Sequence, residues 1–215
     1  MSAEARIVHA VASETVCGAA NAGFLRERLA SALTSRRPAG LVSFGLAGGL
    51  APDLAPGTLV LADWVAVPGC RWDTDSGWRQ RLSEACDGAI LAGVAGSDTP
   101  VATRLARQQL RSATGASIVD MESHIVADIA ERMELPFVVI RAVADGAGSG
   151  LPPAALIALR PDGRPDLPRI LANLARSPGQ LPDLLRLARA SRQAFASLGG
   201  VCRDLGPGLA CPYFL

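Results

Sequence analysis

Two apolar runs that each end in a carboxylate constrain this chain's fold more than anything else in it. Ile118-Val119-Asp120-Met121-Glu122-Ser123 is the first, and Val138-Val139-Ile140-Arg141-Ala142-Val143-Ala144-Asp145-Gly146 is the second. Continuous apolar runs of this length read as strands buried on both faces, the kind found in parallel sheets covered by helices. A carboxylate just past such a strand lies at its carboxyl end, where open α/β sheets build their sites. Two carboxylates facing one pocket point to acid or charge-stabilising chemistry on a small molecule. The competing reading makes Asp145 a helix cap and Glu122 an ordinary acid of a first helical turn. Spacing alone gives the two readings equal weight.

Strands and helices alternate around these runs. Ile7 to Val16 is apolar and strand-like. Over 21–35, Leu25, Leu29, Ala32 and Leu33 share a helical face, and Arg36-Arg37-Pro38 ends that helix. Leu41 to Gly45 predicts a strand that runs into a glycine-rich turn, Leu46-Ala47-Gly48-Gly49-Leu50. Pro56-Gly57 makes a turn, and Thr58 to Val67 predicts the next strand. Residues 68–80 read as a loop holding Trp72 and Trp78. Helices are expected near 79–86, 100–113 and 123–134, and strands over 89–94, 117–121 and 137–144. The pattern predicts a mostly parallel or mixed sheet in a single-domain, three-layer α/β/α fold.

Past Gly150 the character changes. Residues 151–168 hold five prolines and read as a long ordered loop. Leu167, Ile170, Leu171 and Leu174 mark one amphipathic helix; Leu181, Leu184, Leu185, Ala188 and Phe195 mark another. The organisation expected is an α/β core over 1–150, a loop and packed helices over 151–200, and a tail over 201–215. Arg169, Arg176, Arg186, Arg189 and Arg192 decorate the two helices. A solvated face explains them most simply; contact with a membrane or lipid is the sharper alternative.

Composition narrows the chemistry. At 215 residues the chain suits one domain. A net charge of +1 and 4% aromatics argue against a nucleic-acid binder that relies on phosphate contacts or stacking. No apolar run is long enough to span a bilayer and no secretory leader is visible, so the expectation is a cytoplasmic protein with at most peripheral membrane contact. Cys17, Cys70, Cys86, Cys202 and Cys211 are scattered without a CxxC pair, which suits reduced thiols rather than disulfides or zinc. All 21 basic residues are Arg. The absence of lysine removes Schiff bases, a Walker lysine and a Ser–Lys dyad. His9 and His124 are too few for a His-rich metal site, and no metal is expected.

The residues now support a resemblance. Ser43-Phe44-Gly45-Leu46-Ala47-Gly48-Gly49-Leu50-Ala51-Pro52, followed by Pro56-Gly57-Thr58-Leu59-Val60, resembles the Gly-rich strand and turn of the purine nucleoside phosphorylase and nucleosidase superfamily. Val119-Asp120-Met121-Glu122-Ser123 is similar to its ribose-binding motif, and Arg141-Ala142-Val143-Ala144-Asp145-Gly146 to its catalytic strand end. Further along, Met121-Glu122-Ser123-His124-Ile125, Leu151-Pro152-Pro153-Ala154-Ala155-Leu156, Leu159 to Leu167 and Pro178-Gly179-Gln180-Leu181-Pro182 resemble the hopanoid-associated phosphorylase branch.

That resemblance implies cleavage of an N-glycosidic bond, with adenine released from adenosylhopane. It implies Asp145 as general acid, Glu122 on the ribose hydroxyls, Met121 packed on the sugar, and Glu4 orienting the attacking group. Gly45, Gly48 and Gly49 would admit the sugar and nucleophile, while Ser97, Asp98 and Val101 would face the adenine. The 147–168 loop, with Leu151 and Leu156, would lie near the 5′ side and suit a lipid tail. No cofactor is implied beyond inorganic phosphate as a possible co-substrate, and the usual assembly is a homo-oligomer. The same residues leave two alternatives: a methylthioadenosine/adenosylhomocysteine nucleosidase, or a truncated, inactive member that only binds nucleoside.

Two departures from the pattern stand out. Relatives place an apolar strand before the segment that Glu4 matches, so the first strand is expected to be lacking, with Glu4 on a frayed terminus. Leu46 also occupies a position where many members carry a hydroxyl that binds phosphate or water. Arg71 and Arg104 are the candidate phosphate ligands, and Arg141 is expected to be structural.

Overall fold

The computed structural model describes residues 3–18, 21–35, 37–148 and 167–213. In chain order its helices are α1 (Ala3–Val8), α2 (Ala22–Ser35), α3 (Ser76–Ala85), α4 (Arg104–Thr114), α5 (Ser123–Arg132), α6 (Leu167–Arg176) and α7 (Leu181–Leu205). Its strands are β1 (Leu41–Gly49), β2 (Leu59–Val67), β3 (Cys70–Asp73), β4 (Ile90–Gly96), β5 (Ile118–Asp120) and β6 (Phe137–Asp145). Of the loop expected over 151–168, residues 151–166, with Leu151 and Leu156, lie outside the described residues, and Leu167 and Pro168 already belong to α6.

The sheet runs β3-β2-β4-β5-β1-β6, and β2 also pairs with β6, so five of the strands close into a ring. It is mixed. β1/β6, β2/β4 and β4/β5 are parallel; β2/β3, β1/β5 and β2/β6 are antiparallel. Chain length explains the reversal. A parallel crossover needs about a dozen residues or more, and the turn from Leu50 to Thr58 is too short for one. The chain therefore re-enters as β2 running against β6.

Side chains alternate across the sheet with period two. Phe137, Val139 and Val143 of β6 pack with Ala127 and Ala130 of α5 on one face. Val138, Ile140, Ala142 and Ala144 pack with Ala194, Leu198 and Val201 of α7 on the other. This is the three-layer α/β/α arrangement anticipated from the sequence.

Three local expectations need correction. The apolar run from Ile7 to Val16 is not a strand: it begins inside α1 and turns. Val8 and Val11 recur at helical spacing and are buried with Cys202 and Leu209, and the Val11 carbonyl accepts from the Gly208 amide. The supposed glycine-rich turn continues as strand through Gly49, because Gly48 and Gly49 pair with Val119 and Ile118 of β5. Residues 68–80 are not a loop but the β2–β3 hairpin and the start of α3, whose Asp75 side chain caps the Trp78 amide.

One irregularity positions the chemistry. β1 and β6 stay in register from Leu41↔Phe137 to Ala47↔Val143, and then Gly48 pairs with Asp145. Ala144 is thus an extra residue on β6, a bulge of the kind that re-aims side chains beside functional sites.

Candidate active site

Arg141 enters the interior on β6 and is 2% exposed. A guanidinium at that depth needs acceptors for its donors. Its Nε lies 2.5 Å from Asp120 Oδ2, and its Nη2 donates to Ser43 Oγ at 2.5 Å and to Ser123 Oγ at 3.1 Å. The other oxygen of Asp120 accepts the Glu122 amide at 3.1 Å and the Ser123 amide at 2.9 Å. Asp120 thereby fixes the turn that carries Met121 and Glu122 into α5. The structural role expected for Arg141 has a consequence for the site, since its Nη2 stands 3.9 Å from Glu122 Oε2.

Two glycines let the backbone approach Glu122 and Arg141 closely. A Cβ at Gly18 would fall 2.7 Å from Glu122 Oε1, and one at Gly45 would fall 2.5 Å from Arg141 Nη1. The Gly45 position is also 3.5 Å from the Glu4 carboxylate. Glu4 is not on a loose end: α1 buries Ala5 and Val8, and it packs on α7 and β1. Burial pushes the Glu122 carboxyl above its usual range. Arg141 pulls it back down, and Asp120 and Glu4 push it further up.

Asp145 stands at the end of β6, beside Gly48. A Cβ at Gly48 would lie 3.5 Å from Asp145 Oδ1 and 3.5 Å from Arg107 Nη2. Burial raises the Asp145 carboxyl, while the charge and hydrogen bond of Arg107 oppose that rise. The group holds its proton more readily than a free aspartate, as a general acid requires.

Arg107 was not singled out from sequence. It is 2% exposed and the one buried residue of α4. Nε donates to the Val101 carbonyl at 3.0 Å, Nη1 to Gly146 at 2.9 Å and Gly49 at 3.4 Å, and Nη2 to the Asp145 carboxylate. One side chain therefore ties the β1 exit, the 96–101 loop and the end of β6 together. A signal existed: an arginine sits in phase with Leu110 and Thr114 on the inward face of α4, where an apolar residue belongs.

The base-facing candidates separate. Val101 joins Asp145 through Arg107. The Ser97 amide donates to the Asp120 carbonyl at 3.0 Å and its hydroxyl to Thr99, which shapes the loop. Asp98 turns away: its carboxylate meets His124 Nε2 at 3.1 Å and Arg26 at 3.9 Å. Gly49 lies against Asp145 and Gly146, where a Cβ would come within 3.1 Å of the Asp145 carbonyl. The two phosphate candidates lie elsewhere. Arg71 pairs with Asp73 and stacks on Trp64, and Arg104 is exposed at the start of α4. β1 thus passes two carboxylates near Gly45, Glu4 directly and Glu122 through Arg141, and a protonatable acid at Gly48, groups of the kind that stabilise a cationic sugar and protonate a leaving base.

Comparison with known proteins agrees with this frame. No curated protein sequence matches the chain. Among solved structures it is similar to 5′-methylthioadenosine/S-adenosylhomocysteine nucleosidase from S. pneumoniae, with 17% identity, a TM-score of 0.63, and coverage of 95% of this chain and 96% of that one. It is also similar to Helicobacter pylori MTAN and to futalosine hydrolase of Helicobacter pylori. Each of these shows 18% identity and a TM-score of 0.55 over 58% of this chain. In those two the match spans 66% and 65% of the solved chain, just under two thirds. At these identities the likeness is one of fold. The sequence model of the phosphorylase superfamily matches residues 4–158, well over half the chain, and the protein belongs to that superfamily.

Proposed function

We propose that this protein cleaves the N-glycosidic bond of an adenine nucleoside, and that its substrate is adenosylhopane, from which it releases adenine. The observation that carries the reaction class is the convergence of Glu4, Glu122 and Asp145 on the glycine-lined end of β1 and β6. Asp145 gives its proton to a ring nitrogen of the purine as the C1′–N bond breaks. Glu122 holds the ribose hydroxyls and stabilises the positive charge that develops on the sugar. Water adds to C1′ and its proton passes to Glu4.

Water suits the site better than phosphate. Leu46 offers no hydroxyl, and four of the five N–H groups of Arg107 are already engaged by Val101, Gly49, Gly146 and Asp145. The hopanoid assignment rests on the C-terminal sequence signature around Leu151–Leu167. Methylthioadenosine or adenosylhomocysteine is the second reading, favoured by the similarity to nucleosidases named for those substrates. The resemblance also leads us to expect a homo-oligomer.

The test is adenine release by purified protein from adenosylhopane, methylthioadenosine and adenosine, each with and without phosphate. Release from the lipid nucleoside alone, without phosphate, is the expected result. Preference for methylthioadenosine would replace the substrate; a phosphate requirement would replace the attacking group; no release from any of them would remove the reaction.

A further inference from the structure

α7 is two different helices in one. Its second half buries Ala194, Leu198, Val201 and Cys202 against the sheet, and none of its residues before Ala194 is buried. At 3.6 residues per turn, Leu181, Leu185 and Arg192 lie on one stripe, opposite Ala194, Leu198 and Val201. Leu181 is 44% exposed and Leu185 is 50% exposed. Arg189 borders that stripe, Arg186 lies further round the same side of the helix, and both are exposed. α6 precedes it, with exposed Arg169 and Arg176, and packs chiefly on the short 3-10 turn Pro178–Gln180 between the two helices.

Charge is concentrated here. Residues 181–192 carry three arginines, Arg186, Arg189 and Arg192, against a single acid, Asp183, in a chain whose whole net charge is +1. Asp183 pairs with Arg186, at 2.5 Å. Exposed leucines beside a cluster of arginines combine the two attractions that hold a peripheral helix in a lipid interface: apolar insertion, and the negative surface potential of anionic lipid.

We propose that the α6–α7 elbow docks this protein on an anionic phospholipid surface, with Leu181 and Leu185 inserted and Arg186, Arg189 and Arg192 against the headgroups. The proposal does not depend on the reaction assigned above. A second copy is a poorer occupant, because it would set one arginine cluster against another. Nucleic acid would leave the leucines without a role. Among the described residues no helix is long and apolar enough to cross a membrane, so the contact is interfacial.

Co-sedimentation of the full chain with vesicles tests this. Vesicles of phosphatidylcholine alone are compared with vesicles containing about one third phosphatidylglycerol. The expected result is binding to the anionic vesicles only, weakened by high salt. R186E/R189E/R192E should reduce binding by at least about tenfold, and L181D/L185D by a similar factor. All these positions are exposed, and circular dichroism checks folding; R189Q repeats the test with the least disturbance. Equal binding to neutral vesicles, no binding, or wild-type binding by the variants would overturn the proposal. So would a homodimer that the leucine variants dissociate without any vesicle binding, because the face would then join two copies.

Discussion

The guanidinium of Arg107, on α4, is hydrogen-bonded to the carboxylate of Asp145, 38 residues further along the chain at the end of β6. The acid proposed to protonate the purine is therefore held by a buried cation. Two opposing influences act on one proton: burial favours keeping it, and Arg107 favours losing it.

Replacing Arg107 with Met removes the second influence. The Asp145 carboxyl should then rise further, and the alkaline limb of the kcat/KM profile for adenine release should move to higher pH. Arg107→Lys, which keeps the charge, should leave that limb close to wild type. A fall in rate with an unchanged profile in both variants would mean that Arg107 only supports the loop.

Asp145→Asn should lower adenine release by about 10²–10⁴-fold. Its circular dichroism and its affinity for adenine should stay close to wild type, because the amide keeps the shape of the group. Wild-type turnover by this variant would take Asp145 out of the mechanism.

Glu122 links activity to stability. Its folded-state carboxyl is raised, so between its ordinary value and its folded value the native state binds more protons than the unfolded state. Its contribution to stability is present below the ordinary carboxylate value and is lost as pH rises through the folded one. Glu122→Gln removes that loss. The Tm of the ligand-free variant should equal or exceed that of wild type at neutral pH, and the difference should vanish in acid, while kcat/KM falls. A variant less stable than wild type at every pH would contradict the cause assigned here.

Arg141→Met leaves Asp120 as a buried, uncompensated charge and strips Ser43 and Ser123 of a donor. Destabilisation of about 3–5 kcal/mol is expected in urea unfolding. A change below about 1 kcal/mol would mean that Asp120 is satisfied by other groups.

Gly45→Ala places a methyl 2.5 Å from Arg141 Nη1. The arginine must shift, and Glu122 with it, so the variant should raise KM for nucleoside more than it lowers Tm. Unaltered kinetics would show that the strand yields instead.

Five of the sheet's six strands, the helices over α2, α4 and α5, and the two carboxylates after buried strands were legible in sequence, because period and apolar content report burial directly, whereas β3 was read as loop. Asp145 and Glu122 were found since each interrupts a buried run. Other features were set by tertiary contacts. Ile7–Val16 is rich enough in Val and Ile to read as a strand, and the packing of Val8 and Val11 on Cys202 and Leu209 decides for a helix and turn. Gly48 and Gly49 suggest a turn until β5 supplies partners for their backbone. Asp98 has the right neighbours in sequence but faces His124. Arg107 looks like one more surface arginine among 21 basic residues until the loop from Val101 folds over it.

The extra residue on β6 also bears on how such a strand tolerates insertion and deletion. Ala144 faces the α7 core, and Asp145 follows it onto the other face, opposite Gly48, where Arg107 of α4 meets it. A chain lacking Ala144 would pair more regularly along β1, yet every residue beyond Val143 would change face, and the carboxylate would point among Leu198 and Val201. Ladder regularity and an aimed acid are incompatible at this point in the sheet. On the mechanism proposed above, the phase of the strand aims the acid, and a frame-preserving loss of one small alanine should lower adenine release as far as loss of the aspartate does.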